Sequence, residues 1–537
     1  MKLSHIPQKL KESIIPPIHK GGSKADAANY RPVSLTSHLI KIYEKTIRKK
    51  LTQHLDERNF LNPNQHGFRP GRSCLTQLLS HYDNIISLQE KGQNVDVVYL
   101  DFSKAFDKVD HNILLHKLDN LGIKGKTLKW IQQFLTNRSQ RVMVNGKLSS
   151  PHQVISGVPQ GSVIGPLLFL VLINDIDKDT AHSMVASFAD DTRVTKGLST
   201  QEDACTLQND LFQIYHWSEQ NNMQFNALKF ELIRYGKNTA LKEDTAYINP
   251  DFELIGEKET VKDLGITLQN TCNFRQHIHN IAEAAKKMSS WILRTFETRE
   301  RVPMMILYKS LVRPLMEYSS PLWNPINKDD IKTLEAIQKA FITRIKGISR
   351  DYTTALKQLN LYSLEARRNR YTAIHVWKIC ENMAPNLHPD NGIQLQTDCN
   401  HRRGRTCKEY NLRKTPSHLQ KARKQTLRVH GAKIFNKLPK EIRNLTSTTV
   451  HQFKSMLDCH LRSRVDVPLP SNAQHTGWQR TNQPTNLPTN QNTPPIPVAM
   501  LPDITSDEQH TTESLTNPIP ENQMPARGLN AEMRSTR

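Results

Sequence analysis

Three acidic residues stand where they could bind metal ions together. Asp101 ends an apolar run that is typical of a buried β-strand, and the pair Asp190-Asp191 follows a short apolar stretch that is typical of a hairpin tip. If the two segments are neighbours, their carboxylates would hold two divalent cations about 3.5–4 Å apart. One cation would activate a primer 3′-hydroxyl and the other would brace a leaving pyrophosphate. Magnesium suits such a site because it binds through a few carboxylates and substrate phosphates.

Each half of this pattern has a plainer interpretation. An Asp-Asp pair is common in solvent-exposed turns. Asp101 by itself would also serve as the N-cap of a helix that begins near Ser103. The pattern gains weight only from the residues around it.

Phe106 lies five residues after Asp101 and bears on the choice of sugar. In a polymerase palm this position lies under the ribose of the incoming nucleotide, where a bulky ring would clash with a 2′-hydroxyl. Phe106 therefore favours DNA as the product. The alternative is a core phenylalanine on the apolar face of the following helix.

A glycine- and proline-containing segment at residues 156–169 lies between the two acidic segments. Its glycines predict that backbone approaches a flat ligand closely, and Gln160 could hydrogen-bond the edge of a base or sugar. Taken alone, the same segment would be an ordinary turn before a core helix.

The chain is strongly basic. Its 73 Lys and Arg residues against 51 Asp and Glu give a net charge of +22, and residues 466–537 are slightly acidic, so the positive charge lies in residues 1–465. This charge predicts salt-sensitive, sequence-independent affinity for nucleic acid, although a solvated charged surface is the alternative. Residues 401–433 hold eleven Lys and Arg and one acid, which indicates a further grip on RNA or DNA. Seven cysteines without regular pairing favour a reducing compartment, and no apolar run is long enough for a membrane span.

Local patterns predict a mixed α+β chain. Apolar residues at every fourth position predict an amphipathic helix from Leu39 to Leu55, and Asn145-Gly146 predicts a tight hairpin. After about residue 275 the pattern is helical, with two predicted core stripes: Ile331, Leu334, Ile337, Phe341 and Ile345, and Leu307, Leu311 and Leu315. Residues 466–537, which are rich in Pro, Asn and Thr, should be disordered.

Seven segments occur in the order of a known polymerase family. They are Asn29-Tyr30-Arg31-Pro32-Val33-Ser34-Leu35, Gln65-His66-Gly67-Phe68-Arg69, Tyr99-Leu100-Asp101-Phe102-Ser103-Lys104-Ala105-Phe106-Asp107, Pro159-Gln160-Gly161, Phe188-Ala189-Asp190-Asp191, residues 226–229 and Leu264-Gly265. Together they resemble the reverse transcriptase of a non-LTR retrotransposon, a long interspersed element similar to the jockey superfamily. The segments around Trp291 and Trp323 resemble its thumb and downstream helices.

The resemblance implies a role for each matched site residue. Asp101, Asp190 and Asp191 would be the catalytic ligands of two Mg²⁺ ions, for which Mn²⁺ would substitute. The nucleotide and template contacts would be Phe106 as sugar gate, Arg31 as phosphate contact, Gln160, Gly161, and Lys229 as proton donor to pyrophosphate. For Arg31 the alternative is a surface salt bridge, and for Lys229 it is a solvated lysine at a helix end.

The resemblance also implies a right-hand polymerase with an antiparallel palm sheet and a mainly helical thumb. The expected division is fingers at 1–90, palm at 91–235, a primer-grip hairpin region at 236–275, a helical thumb with a basic C-terminal extension at 276–465, and a disordered tail at 466–537. The implied partners are template RNA, a DNA primer or target DNA, and dNTPs, with no membrane. The implied location is the nucleus and cytoplasm, as a ribonucleoprotein.

In this family an endonuclease precedes the polymerase, and because the first matched segment begins at residue 29, no target-nicking activity is expected from the resemblance. The sequence therefore leaves two function classes open. One is an active RNA-directed DNA polymerase, which the intact acids favour, and the other is a nucleic-acid-binding remnant with an unused site. A group II intron maturase shares the palm but is disfavoured by Phe188 and by the thumb resemblance.

Overall fold

The computed structural model describes residues 5–385, 395–396, 409–410 and 420–462. The chain divides into two compact units, residues 1–479 and 480–537, and the second lies outside the described residues. So does the whole segment 466–537 for which disorder is predicted, as do residues 401–408 and 411–419 of the basic run.

Helices and strands alternate through the first half of the chain, and helices dominate the second, which confirms the α+β prediction. The strands are β1 (Glu12–Ile15), β2 (Pro17–His19), β3 (Tyr30–Pro32), β4 (Asn94–Leu100), β5 (Arg138–Val144), β6 (Lys147–Leu148), β7 (His152–Val154), β8 (Met184–Phe188), β9 (Asp191–Leu198), β10 (Glu231–Tyr235), β11 (Thr260–Asp263), β12 (Ile266–Gln269), β13 (Leu395–Gln396) and β14 (Glu409–Tyr410).

The α-helices include long ones that carry the core and single-turn ones that join them. They are α1 (His38–Glu57), α2 (Cys74–Glu90), α3 (His111–Asn120), α4 (Gly125–Leu135), α5 (Gly165–Ile173), α6 (Gln201–Gln220), α7 (Thr239–Glu243), α8 (Arg275–Thr295), α9 (Arg301–Leu307), α10 (Ser320–Trp323), α11 (Lys328–Ile342), α12 (Tyr352–Leu359), α13 (Leu364–Cys380), α14 (Gln420–Gln425), α15 (Ala432–Asn436), α16 (Lys440–Arg443) and α17 (Val450–Arg462). In the described part of the chain, no helix has the length and apolar character that a membrane span requires.

A four-stranded antiparallel sheet in the order β10-β4-β9-β8 forms the centre of the molecule. Successive residues of β4 point to opposite faces, and they enter two different cores: Val97 belongs to the core that continues into the C-terminal helices, and Val98 to the core around α5 and α6. Both faces of the sheet are therefore covered. This explains why β4 is an unbroken apolar run rather than an alternating one.

The two predicted tight turns are hairpins in the structure. Asn145 and Gly146 join β5 to β6 with φ of 51° and 77°, and Leu264 and Gly265 join β11 to β12 with φ of 44° and 83°. Positive φ at both turn residues gives the turn the twist of the flanking strands. The Asn-Gly prediction is confirmed.

The predicted apolar stripe of α1 is wrong at its first two positions. Leu39 is 62% and Tyr43 52% exposed, and the helix instead buries Ile40 and Glu44 together with Ile47, Leu51 and Leu55. A strict four-residue spacing drifts by about 40° per step on a helix of 3.6 residues per turn. The first two positions therefore rotate away from the face that the last three define.

Of the two stripes predicted after residue 275, one is confirmed and one is displaced. Ile331, Leu334, Ile337, Phe341 and Ile345 are all buried. In the other segment Leu311 is 37% exposed, and the buried row lies one position later, at Met304, Tyr308, Val312 and Met316. Both rows repeat every four residues and both are apolar, so periodicity alone does not choose between them.

The predicted nucleic-acid grip at residues 401–433 is wrong for two of its arginines. Arg423 binds Glu90, and Arg428 binds both Glu90 and Asp83, with N–O distances of 2.9–3.2 Å. These ion pairs are largely buried and join the C-terminal helices to α2. The positive charge of this part of the run therefore serves packing, since α2 supplies two acids to it.

Candidate active site

The three aspartates meet at one end of the central sheet. Asp101 directly follows β4, whose last residue, Leu100, pairs with Thr192 of β9. Asp190 lies in the turn that joins β8 to β9, and Asp191 begins β9, where it pairs with Phe188. Because opposed residues of antiparallel strands are neighbours, this register brings Asp101 beside the Asp190-Asp191 turn.

The carboxylates are close enough to oppose each other's ionisation. Burial, followed by the charges of Asp191 and Asp101, raises the pKa of Asp190 to about 6. Burial also raises the pKa of Asp191, and Asp101 adds to the rise while Arg193 and Arg31 oppose it. Because burial and neighbouring carboxylates raise the pKa of Asp190 and Asp191, cations would stabilise their ionised forms.

Lys229 supplies a cation to this cluster. It ends a 3₁₀ turn, Ala227–Lys229, and its Nζ donates to Oδ2 of Asp101 at 2.8 Å. Its side chain is 64% exposed, as the alternative of a solvated lysine requires, but it also forms an ion pair with Asp101. As the side chains stand in the described residues, no three His, Cys, Asp or Glu are grouped so that they could hold a metal ion. Shared binding of two ions by the aspartates therefore stays a prediction.

Phe106 is half-buried among aromatic side chains. It lies on the 3₁₀ turn Ala105–Asp107, stacks on Phe169 of α5 at a centroid distance of 4.4 Å and contacts the edge of Phe68 at 5.9 Å. The ring is thus packed on two sides, as the core interpretation requires, and still partly exposed, as a gate requires. The gate role stays a prediction.

Gln160 and Gly161 form part of a loop that contacts two other segments. Gln160 Nε2 donates to Oδ1 of Asp107 at 2.9 Å, and its carbonyl accepts from the backbone N–H of Ser34 at 2.6 Å. Gly161 has φ of 115°, and a Cβ on it would lie 2.7 Å from the carbonyl oxygen of Ser34. This glycine therefore permits a close approach to protein backbone, and a contact of the loop with a flat ligand stays a prediction.

Arg31 is exposed in β3. Its positive charge lowers the pKa of both Asp190 and Asp191, which indicates that it lies near them. Among the described residues it forms no ion pair within 4 Å, so the surface salt bridge considered as its alternative is not formed there. Its role as a phosphate contact stays a prediction.

A cleft of about 560 Å³ runs from these carboxylates to the β11–β12 hairpin. Asp101, Asp191 and Lys229 line one end, and Lys262 and Leu264 line the other. The predicted catalytic turn and the predicted primer-grip hairpin therefore share one depression of the surface.

Sequence comparison agrees with this geometry. Residues 18–268 match the family model "Reverse transcriptase (RNA-dependent DNA polymerase)". This stretch contains all three aspartates, the other five predicted site residues and the hairpin strands of the cleft up to residue 268. Residues 18–268 are a reverse transcriptase domain.

The chain is similar to three transposon proteins from Drosophila melanogaster. It is 29% identical over 359 residues to the RNA-directed DNA polymerase from mobile element jockey, covering 65% of this chain and 39% of that protein. It is 26% identical over 398 residues to the probable RNA-directed DNA polymerase from transposon X-element, covering 69% and 43%, and 27% identical over 387 residues to that from transposon BS, covering 70% and 42%. The predicted kinship with non-LTR retrotransposon polymerases is confirmed. The chain spans about two fifths of the length of these relatives.

The similarity to solved structures is more distant. Telomerase from Candida tropicalis aligns with a TM-score of 0.40 at 11% identity, over 70% of this chain and 62% of that one. With the reverse transcriptase domain in place, the right-hand polymerase fold class is confirmed.

Three residues that the sequence did not single out hold elements of the site in place. All three lie in the reverse transcriptase domain. Buried Glu44 accepts from the backbone N–H groups of Val163 and Ile164 at 2.6 and 3.0 Å, so it fixes the start of α5. Buried Arg193 and Asp263 form an ion pair between β9 and the β11–β12 hairpin. For Glu44 the only signal was a charged residue on a helix, and its meaning becomes visible only once the buried face of α1 is known.

Proposed function

We propose that this chain is an RNA-directed DNA polymerase that extends a primer 3′ end with dNTPs on an RNA template. The observation that carries the proposal is the meeting of Asp101, Asp190 and Asp191 at the end of the central sheet of a reverse transcriptase domain. The register of β4 against β9 supports it, because Leu100, which precedes Asp101, is paired with Thr192, which follows Asp191.

The donor set fits two Mg²⁺ ions, with Mn²⁺ as a substitute. The cluster offers carboxylate oxygens, which hard cations prefer, and a bound cation would oppose the burial and the neighbouring charges that raise the pKa of Asp190. When bound, the ions would lower the pKa of the primer 3′-hydroxyl and neutralise the departing pyrophosphate. Asp190 and Asp191 would hold them from the turn, and Asp101 from the end of β4.

The basic residues around the cluster would manage phosphate charge. Arg31, exposed and without a protein ion pair among the described residues, would bind the triphosphate of the dNTP. Lys229, once parted from Asp101, holds a proton beside the carboxylates and would donate it to pyrophosphate. Gln160 would keep Asp107 and the first fingers segment in place under the nucleotide, because its amide and its carbonyl are bound to both.

Phe106 would select deoxynucleotides by its ring. The stack on Phe169 fixes the ring plane, so a 2′-hydroxyl could not push the ring aside without loss of that contact. The fingers, palm, primer-grip region and thumb would divide at residues 90, 235 and 275. The thumb and the cleft to the β11–β12 hairpin would hold the primer strand.

Primer extension by the purified chain on an RNA template tests the proposal. Wild-type protein should extend a DNA primer with dNTPs in Mg²⁺ or Mn²⁺, and Asp190→Asn should abolish extension while it leaves primer-template affinity unchanged. Asp244→Asn is the matched control, since Asp244 is exposed at the end of α7 and the charge change is the same. Tight binding without extension by wild type would reject the proposal in favour of a nucleic-acid-binding remnant.

A further inference from the structure

The turn that carries Asp190 has an unusual backbone. Ala189, which precedes it, is 4% exposed and has φ of 58°, in the left-handed region. Left-handed backbone disfavours a residue with a Cβ, and such positions persist only where the surroundings hold them. The surroundings of Ala189 therefore decide where the neighbouring carboxylates point.

One buried side chain binds the backbone of Ala189 on both sides. Gln65 Oε1 accepts from the N–H of Ala189 at 2.8 Å, and Gln65 Nε2 donates to the carbonyl of Ala189 at 3.2 Å. The same Oε1 also accepts from the N–H of Gly67 at 2.8 Å. Gln65 is 5% exposed, so its amide is satisfied by these contacts and not by water.

The backbone around Gln65 is fitted to the same hairpin. The N–H of His66 donates to the carbonyl of Ser187 at 2.9 Å, and the N–H of Ser187 donates to the carbonyl of Asn64 at 3.1 Å. Gly67 packs against the turn so closely that a Cβ on it would overlap the backbone nitrogen of Ala189. The segment thus lies along β8 as a short added strand.

This segment is itself held firmly by other parts of the protein. Arg69 donates to the carbonyls of Asn62 and Gln65 at 2.5 and 3.4 Å, and His66 Nδ1 lies 2.8 Å from Oγ1 of Thr76 in α2. Asn62 N–H donates to the side chain of Asn174 just beyond α5. Gln65 therefore reaches the turn from a fixed base and does not depend on bound nucleic acid.

We propose that Gln65 is a positioning residue for the catalytic turn: its amide holds Ala189 in left-handed backbone and so sets the carboxylates of Asp190 and Asp191 toward Asp101. The proposal rests on the proposed role of these aspartates as metal ligands. Residues that orient metal ligands typically change metal affinity or activity by about 10–100-fold when they are removed. Gln65 itself touches neither metal nor substrate.

Gln65→Met tests this, because methionine keeps the length of the side chain and removes both hydrogen-bonding groups. In single-turnover primer extension the rate per active molecule should fall by about 10–100-fold, and the dissociation constant of Mn²⁺, measured by electron paramagnetic resonance without nucleic acid, should rise by a similar factor. Primer-template affinity should stay within about twofold, since the phosphate contacts that dominate affinity are untouched.

Gln338→Met is the matched control. Gln338 lies in α11, and its side chain is fully buried. Its amide oxygen accepts from the hydroxyl of Tyr308, and its amide nitrogen donates to the hydroxyl of Tyr352. Its loss should lower the melting temperature and the fraction of active molecules but leave the rate per active molecule and the Mn²⁺ affinity unchanged. An equal loss of rate in both variants would overturn the proposal, because it would then reflect general destabilisation.

Two more variants of the same contact keep the proposal falsifiable if Gln65→Met folds poorly. Gly67→Ala displaces the turn while it leaves the amide in place, and it should weaken Mn²⁺ binding in the same way. Gln65→Glu keeps the acceptor for both N–H groups and should recover part of the rate that Gln65→Met loses. Wild-type rate and Mn²⁺ affinity in Gln65→Met and Gly67→Ala would overturn it. If wild type binds Mn²⁺ but does not extend primers, the polymerase function fails, and the Mn²⁺ comparison still decides the role of Gln65.

Discussion

Removal of the charge of Asp190 should stabilise the metal-free protein at neutral pH, although it abolishes extension. Burial and the charges of Asp191 and Asp101 raise the pKa of Asp190 to about 6 from its ordinary 3.8. The folded protein therefore keeps this proton to a higher pH than the unfolded chain, and it binds more protons between about pH 4 and pH 6. The free energy of unfolding falls as pH rises through this window. Above pH 6 the folded protein bears the full loss of stability that ionisation of Asp190 causes.

The size of this cost follows from the pKa difference. Each pH unit of difference corresponds to about 1.36 kcal/mol, which gives an upper limit of about 3 kcal/mol. Water and salt at a partly exposed carboxyl screen the repulsion, and a cost of about 1–2 kcal/mol is expected. Asp190→Asn keeps the shape and removes the charge. The variant should gain this amount in free energy of unfolding at about pH 7.5 and almost nothing near pH 4.

Urea denaturation in EDTA at the two pH values measures the gain, with Asp244→Asn as the control for the change in net charge. Mg²⁺ should reverse the order: at a concentration of about 100 times the dissociation constant it should stabilise wild type by about 2.7 kcal/mol, and it should stabilise Asp190→Asn far less. Two results would contradict a destabilising charge on Asp190. One is that Asp190→Asn is no more stable than wild type in EDTA at pH 7.5, and the other is that its gain in free energy of unfolding is the same at both pH values.

Three further substitutions test the predicted sugar gate and two buried contacts near the site. Phe106→Ala should raise ribonucleotide incorporation relative to deoxynucleotide in competition assays, and unchanged discrimination in an active variant would place the gate elsewhere. Arg193→Met leaves the carboxylate of Asp263 buried and unpaired, so it should cost about 3–5 kcal/mol in urea denaturation. Adding Asp263→Leu should recover most of that loss, and additive losses would contradict a coupled pair. Glu44→Leu orphans the two N–H groups at the start of α5 and should cost about 2–4 kcal/mol; a loss below about 0.5 kcal/mol would show that water replaces the carboxylate.

The sequence by itself determined the parts of this protein that depend on neighbours along the chain. The run before Asp101, the short stretch before Asp190 and the Asn145-Gly146 turn are local patterns, because strand and hairpin preferences act over a few residues. The order of these segments was enough to identify the reverse transcriptase domain and its three aspartates.

Tertiary structure decided what depends on residues far apart in the chain. Gln65 meets a turn 124 positions away, and nothing in the polarity of either segment predicts that contact. The same holds for Glu44, which lies on the buried face of α1 only because α5 begins there, and for Arg428, whose charge is used by Asp83 rather than by nucleic acid. A side chain's polarity is a property of its type, whereas its partner is chosen by which elements pack together, and that choice is made by the whole core.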